Sequence, residues 1–409
     1  MHVPARSIGL TAVLLSAFVL LPFPAGARHL EDAITDLYTE DGSPGITLAN
    51  TGHNAHFTQT GIDELTTLQN SLRNSIAAFT PSAPVSSFTF DLEQGVFTRS
   101  TQTFGPLVAE RAPTIGRLKL NIGASYTEAI FSRFEGADLD HIQLRFSHID
   151  TAPAGLGNPT FELDQVGVNV HLAIEQRIAA LRATLGLTNH WDVGVLVPYV
   201  WNRLDAHASA FVIDNSGSGA HRFAPPDGDS PFSSSGGRAE GIGDVTLRTK
   251  YHVVDTAEMG ASASPFAPDV SLLGQLRFPT GYDPDLLGSG QYSFLPMVVL
   301  SREYGSIVEP HLNLGYEITE GSSKDNSLQW VAGAALRAND YITVPIDLIG
   351  RHELDTDGIG DNLVDASLGI KVNPFKTGLF VANVRVPLNG DEGLRADYIW
   401  SLGVEVTLP

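Results

Sequence analysis

The side chains that could do chemistry here are histidines, carboxylates and arginines, because the 409 residues include no cysteine. That removes disulfides, thiolate metal centres and cysteine nucleophiles. His53 and His56 stand three apart. Without thiolates or a His-Glu-x-x-His helix they read as loop histidines, so no metal site is expected. Asp355, Asp357 and Asp361 make an acidic, glycine-rich loop that lacks the glutamate spacing of an EF-hand, and an ordinary turn is the better reading. No Gly-x-Ser-x-Gly elbow and no phosphate loop occurs. A barrel lipase could assemble Ser and His across strands, but nothing in the chain points to a pair. No enzyme activity and no cofactor are expected.

What remains is a set of charges repeating with period two. In 242–254, Val245, Leu247, Tyr251 and Val253 share one face, and Asp244, Thr246, Arg248, Lys250 and His252 share the other. The same split recurs in 308–319, 341–353, 363–373 and 396–408. Alternation of this kind is the mark of strands with one apolar face. It places Arg248, Lys250, Arg277, Arg337, Asp347, Arg351, Glu353, Asp365, Lys371 and Arg385 on a common polar side, with Asp244, Glu317 and Glu405. An apolar set shares that side: Leu196, Pro198, Val200, Leu273, Leu295, Met297 and Val299.

The elements that must position these residues are strands joined by turns of alternating length. Short connections fall at 188–190, 304–306, 338–340 and 373–378, and longer polar ones at 215–240, 282–290, 320–326, 355–362 and 389–396. Only 256–268 departs from the rule. Aromatics sit near segment ends, as at Trp191, Tyr199, Trp201, Tyr251, Tyr292 and Tyr341. Together these features predict a transmembrane antiparallel up-and-down β-barrel with aromatic girdles, preferred over a soluble sandwich. The segments number thirteen, whereas chain ends on one side of a membrane require an even count. Either Ser87–Thr98 supplies a fourteenth strand, or one of the first three is miscounted and twelve is correct. The stretch 163–187 changes phase near Gln176.

In such a barrel the polar side is the lumen. Its charges either set selectivity or, since both signs are interleaved, neutralise one another around a wet interior. The apolar set either receives a hydrophobic solute or packs against an N-terminal segment folded inside. Prolines at 198, 279, 296, 310, 345 and 387 belong near strand rims. The sharper alternative is a kink that opens a lateral gap to the membrane.

Residues 1–27 carry one positive charge at Arg6, an apolar run from Ile8 to Phe23 and a small-residue site at Ala25-Gly26-Ala27, which reads as a secretory signal peptide. Beyond it there are 25 − 1 = 24 basic against 46 acidic residues, a net −22. That acid excess argues against a nucleic-acid partner. No later apolar run reaches the roughly 18–20 residues of a membrane helix. Residues 28–85 hold one amphipathic helix of about five turns, with Ile62, Leu65, Leu68, Leu72, Ile76 and Phe79 near helical spacing, ending before Pro81, after a turn-rich 44–60. The helix either plugs the lumen or stands in the periplasm. Residues 86–115 form a linker or first strand, and 116–409 the barrel.

Several motifs resemble one known family. They are Gly241-Ile242-Gly243-Asp244-Val245 opening a strand, Leu187-Thr188-Asn189-His190-Trp191 leading to Val197-Pro198-Tyr199, Arg277-Phe278-Pro279-Thr280-Gly281 with Gly288-Ser289-Gly290, and Gly105-Pro106-Leu107 through Gly116. The family is the outer-membrane barrel group labelled for the "MetA-pathway of phenol degradation", and the resemblance covers roughly residues 105–409. It implies a Gram-negative outer-membrane location, contact with lipid and with the barrel assembly machinery, and passage of small, often aromatic solutes. The chain departs from such barrels in ending Leu408-Pro409 rather than in an aromatic residue. The runner-up role is a structural or surface-interaction barrel with an occluded lumen.

Overall fold

Strands with one apolar and one charged face are stable in a membrane only if every backbone edge is paired, which a closed barrel achieves. The computed structural model has that form: twelve antiparallel strands close on themselves. It describes residues 29–37, 39–40, 43–44, 48, 51–78, 88–91, 96–99, 103–149, 163–219, 221–223, 232–260, 264–321, 326–354, 362–374 and 378–406. The proposed signal peptide, His53's side chain, Phe79, the loop 355–361 and the C-terminal Leu408-Pro409 lie outside these.

The wall runs β1 (Lys119–Phe134), β2 (Gln165–Gly186), β3 (Trp191–Ile213), β4 (Phe232–Ile242, resuming at Thr246–Val254), β5 (Asp269–Arg277), β6 (Ser293–Ser301), β7 (Val308–Thr319), β8 (Ser327–Arg337), β9 (Ile342–Glu353), β10 (Asn362–Val372), β11 (Gly378–Pro387) and β12 (Leu394–Val406). Strand β12 pairs back onto β1 and closes the cylinder.

Of the two even counts open to the thirteen segments, twelve is the one the barrel has. The segment 139–149 contains a strand, Ile142–Ser147, but it pairs with the upper part of β2, above the stretch where β1 pairs. It prolongs one stave rather than adding another. Ser87–Thr98 is likewise no stave. Phe88–Asp91 and Val96–Arg99 form a short hairpin that, among the described residues, pairs with β1 at Lys119 and Leu120 alone.

The phase change near Gln176 has a physical cause. Strands β2 and β3 are 22 and 23 residues long and pair without a register shift from end to end. A tilted strand needs only about 9–11 residues to cross a membrane. In the lower half, Leu185, Ala183, Leu181, Val193, Val195 and Val197 face outward, while Thr184, Arg182 and Asp192 face in. Above Arg177 and Arg203 the polarity inverts. Glu175, His171, Asp205 and His207 face out, and Ile174, Leu172, Val170, Val168, Leu204, Ala206 and Ala208 are buried inside. The alternation never slips; the solvent changes. From Trp191 to Trp201, ten residues at ~3.3 Å each and ~40° tilt span about 25 Å, the height of an outer-membrane apolar band.

The extended half is an outer head. Its inner face packs on helix α1 (Thr51–Ala78) through Phe57, Leu65, Leu68, Leu72 and Ile76, and on Leu30, Ile34 and Leu37. The helix is longer than expected and begins inside the stretch read as turn-rich. Tertiary contacts hold that low-propensity first half, among them Phe57 in the core and the Thr60 hydroxyl donating to the Ser147 carbonyl at 2.8 Å. Ile62, assigned to the apolar face, is 39% exposed. No helix among the described residues is long and apolar enough to cross a membrane.

The prolines do not open the wall. Strands β6–β7 and β9–β10 lose pairs around Pro296 and Pro345 but resume in the same register. Pro198 and Pro310 are paired, and Pro387 ends its strand.

Candidate functional site

The lumen is occupied at both ends. Toward the short turns, Thr103–Gly116 crosses the barrel as an extended segment without secondary structure, and the wall's polar side chains satisfy its backbone. Thr343 Oγ1 accepts from Phe104 N–H (3.1 Å), Asp347 Oδ2 from Val108 N–H (3.2 Å) and Asn313 Oδ1 from Glu110 N–H (2.6 Å). Ser301 Oγ accepts from Ala112 N–H (3.0 Å) and Asp192 Oδ2 from Ile115 N–H (2.9 Å). In the other direction Lys371 Nζ donates to the Phe104 carbonyl (3.1 Å), and Lys250 Nζ donates to the carbonyls of Arg111 and Pro113 (3.0 Å each). An extended peptide inside a barrel must find partners for its own N–H and C=O groups. Here the wall supplies them.

Two ion pairs lock the segment. Arg111 Nε lies 2.6 Å from Glu309 Oε1, with both side chains buried. Glu110 pairs with Arg248, and its second oxygen is 3.8 Å from Lys250 Nζ.

Toward the long loops the roof is α1 together with the β5–β6 connection. Arg73 bridges Asp283 (2.8 Å) and Glu31 (3.5 Å). Asn202 Nδ2 donates to the Leu286 carbonyl at 2.6 Å and draws that loop inward. The Gly-x-Gly-Asp motif explains itself here. It is a bulge in β4 whose Asp244 carboxylate accepts from Gly281 N–H (3.1 Å), Ser289 N–H (2.8 Å) and Ser289 Oγ (2.7 Å). A Cβ on Gly243 would stand 2.9 Å from Val200 and 3.1 Å from Pro198, so only glycine fits that approach. The motif that signalled fold is a loop anchor.

Between roof and floor lies a cavity of about 300 Å³. Leu196, Pro198, Val200, Leu295 and Met297 form an apolar wall, with Ile76 and Leu287 above and Val108 and Glu110 below. Arg248, Arg277, Arg351, Arg385 and Arg395 line the polar side with Gln275, Asn313 and Asp365.

The residues expected inside the lumen therefore divide into three groups. Arg248, Arg277, Arg351, Asp365 and Arg385 border the cavity. They are paired: Arg277 with Glu317 (3.2 Å), Arg351 with Glu353 (3.4 Å) and Arg385 Nε with Asp365 (2.5 Å). Lys250, Asp347 and Lys371 hold the crossing segment instead. Arg337 sits at the rim, donating to the Ser306 carbonyl (3.2 Å) and pairing with Asp340. In the apolar set, Leu196, Val200, Leu295 and Met297 border the cavity, whereas Leu273 and Val299 are buried against Ala112.

Sequence reading missed Arg395, which reaches Asp365 at 3.0 Å. Two register shifts between Arg395 and Ile399 break the alternation that would have assigned it. It also missed Glu110 and Arg111, whose segment has no periodicity and whose partners lie 138 and 198 positions away. Among the described residues no group of three or more His, Asp or Glu is placed to hold a metal.

Residues 164–342 match the family model described as "Putative MetA-pathway of phenol degradation". The resemblance read from the sequence is to this family. The match spans β2 through the start of β9, including the Asp244 anchor and the apolar wall of the cavity. No curated protein matches the chain. Among solved structures, the chain is similar to an outer membrane channel from Pseudomonas putida F1, with 11% identity, 70% of this chain and 94% of that one covered, and a TM-score of 0.42. It is also similar to the Ralstonia pickettii toluene transporter TbuX, with 11% identity, 71% and 89% coverage, and a TM-score of 0.35.

Proposed function

We propose that this chain is an outer-membrane channel for passive passage of small hydrophobic or aromatic molecules, inserted by the barrel assembly machinery and bathed in lipid along its apolar band. The observation carrying this reading is the cavity inside a membrane-spanning barrel, with one apolar and one arginine-lined wall. Its volume, about 300 Å³, is at the lower end of ligand pockets, which suits a solute of one ring. Toluene, named for one similar transporter, agrees in kind with that geometry. Its side chains serve binding and passage rather than catalysis.

The test is planar-bilayer conductance and flux of a monoaromatic solute through the refolded chain, with and without residues 28–85. Steady conductance that rises on truncation supports a channel roofed by α1. A second reading has its own support: both ends of the lumen are filled, as in a closed barrel whose outer head is the working part. Absence of conductance and of flux in both forms, with the barrel folded by heat-modifiable gel mobility, would favour it.

A further inference from the structure

The cavity has a second, smaller neighbour of about 40 Å³ on its short-turn side, lined by Asn121, Arg182, Thr184, Asp192, Lys250 and Leu273 among others. Glu110 and Arg248 border both spaces, so their ion pair is the partition between them. The Glu110 carboxylate enters the wall from the crossing segment and meets three cations there. Arg248 is in direct contact, Lys250 is 3.8 Å away, and Arg182 acts on it electrostatically. Among the described residues, the facing acids are Asp192, committed to Ile115 N–H, and Glu405, which acts on Arg182 and is 3.5 Å from Asn121 Nδ2. With Glu110 taken away, three cations would face two carboxylates, and the pocket would carry a net positive charge.

We propose that Glu110 is an internal stand-in for the carboxylate of a transported solute, and that a small aromatic carboxylate displaces it from Arg248, Lys250 and Arg182 to open the floor of the cavity. This rests on the transport reading above and names its substrate class. The placement is favourable. Leu196 and Thr246 are register partners, and Arg248 is the next inward residue along β4. A ring on the apolar wall therefore brings its carboxylate to the guanidinium. An arginine fork suits a carboxylate of either origin. A tethered carboxylate competes at high effective concentration, so the free solute binds weakly and can leave again, as conduction requires. The rest of the segment stays, because its backbone is held by Asp347, Asn313, Ser301 and Lys371.

Calorimetric titration of benzoate and of benzyl alcohol into the refolded full chain in micelles tests the exchange. Glu110→Gln removes the competing charge without changing shape, and benzoate should bind it about tenfold or more tightly than the parent. Adding Arg248→Gln should abolish that gain. Benzyl alcohol should not distinguish the variants. Equal benzoate affinity in parent and Glu110→Gln would overturn the proposal, as would an equal gain for benzyl alcohol. Because Glu110→Gln could instead release the whole segment, the titration is repeated with Ala112→Cys and Ser301→Cys joined by a disulfide in a chain otherwise free of cysteine. A gain that survives pinning is local exchange, and a gain that vanishes overturns it. Failure of the transport reading shows separately, as benzoate binding without benzoate flux.

Discussion

Strands β2 and β3 cross two environments, and their lower and upper halves are built inside out. Below Arg177 and Arg203 the hydrophobic side chains face lipid and the charged ones face the lumen. Above that level Val166, Val168, Val170, Leu172 and Ala206 turn inward onto α1, and His171, Glu175, Asp205 and His207 turn to water. Nothing in the backbone marks the switch. Tyr199 and Trp201, with rings 4.7 Å apart, sit at the level where it happens. The lower half holds its crossing segment by hydrogen bonds and ion pairs, with only two small apolar clusters, Phe104 and Leu107 on Leu379 and Val381 and Ala112 on Leu273 and Val299, beside them. The head has an ordinary apolar core. One hairpin thus uses two kinds of cohesion.

The comparison can be broken at several points. The largest effect is expected at Glu309, whose side chain is 1% exposed against Arg111. Glu309→Gln strands a buried guanidinium and should cost about 3–5 kcal/mol, loosening residues 103–116 while leaving the head intact. Urea unfolding in micelles, with protease access to the segment, measures it. Replacing both partners, as Arg111→Met with Glu309→Leu, should restore most of that loss. In the head, Leu72→Ala removes a side chain 1% exposed in the apolar core, at a cost of about 2–5 kcal/mol. It should free α1 without disturbing the membrane band, which limited proteolysis within 51–78 would show. Charge placed on the outer face separates the two environments directly. Leu181→Arg, facing lipid, should cost about 2–4 kcal/mol near the midplane and lower the folded fraction on bilayer insertion. Ala173→Arg, four side chains further up on the same face of β2, should stay within about 0.5 kcal/mol. Equal penalties for these two would put both positions in one environment, with no membrane boundary between them.

Much of the barrel was legible because membrane strands declare themselves. Lipid contact forces a strict two-residue period, so Arg248, Arg277, Asp347, Arg351, Asp365, Lys371 and Arg385 could all be oriented from spacing alone. The errors fall where that rule has no force. The head strand Ile142–Ser147 alternates like any other, and nothing local says that it extends a stave instead of adding one. Arg395 was lost to bulged pairing. Glu110, Arg111 and Arg182 gained their roles only from partners on distant strands. Inward orientation also did not reveal what each side chain touches: Lys250 and Lys371 bind backbone carbonyls, while Arg277 and Arg385 bind carboxylates.

The sequence by itself determined the class of architecture and the facing of most wall residues, because period two and the need to satisfy every backbone group in lipid leave a closed barrel as the solution. Only the tertiary structure decided that the wall has twelve staves, that its upper third is a water-facing head over α1, and that Thr103–Gly116 threads the lumen. The reason is distance along the chain. Pairings such as Arg111 with Glu309 and Glu110 with Arg248 join residues with no shared local pattern. Their energy exists only once the cylinder has closed and set the opposite walls around the segment.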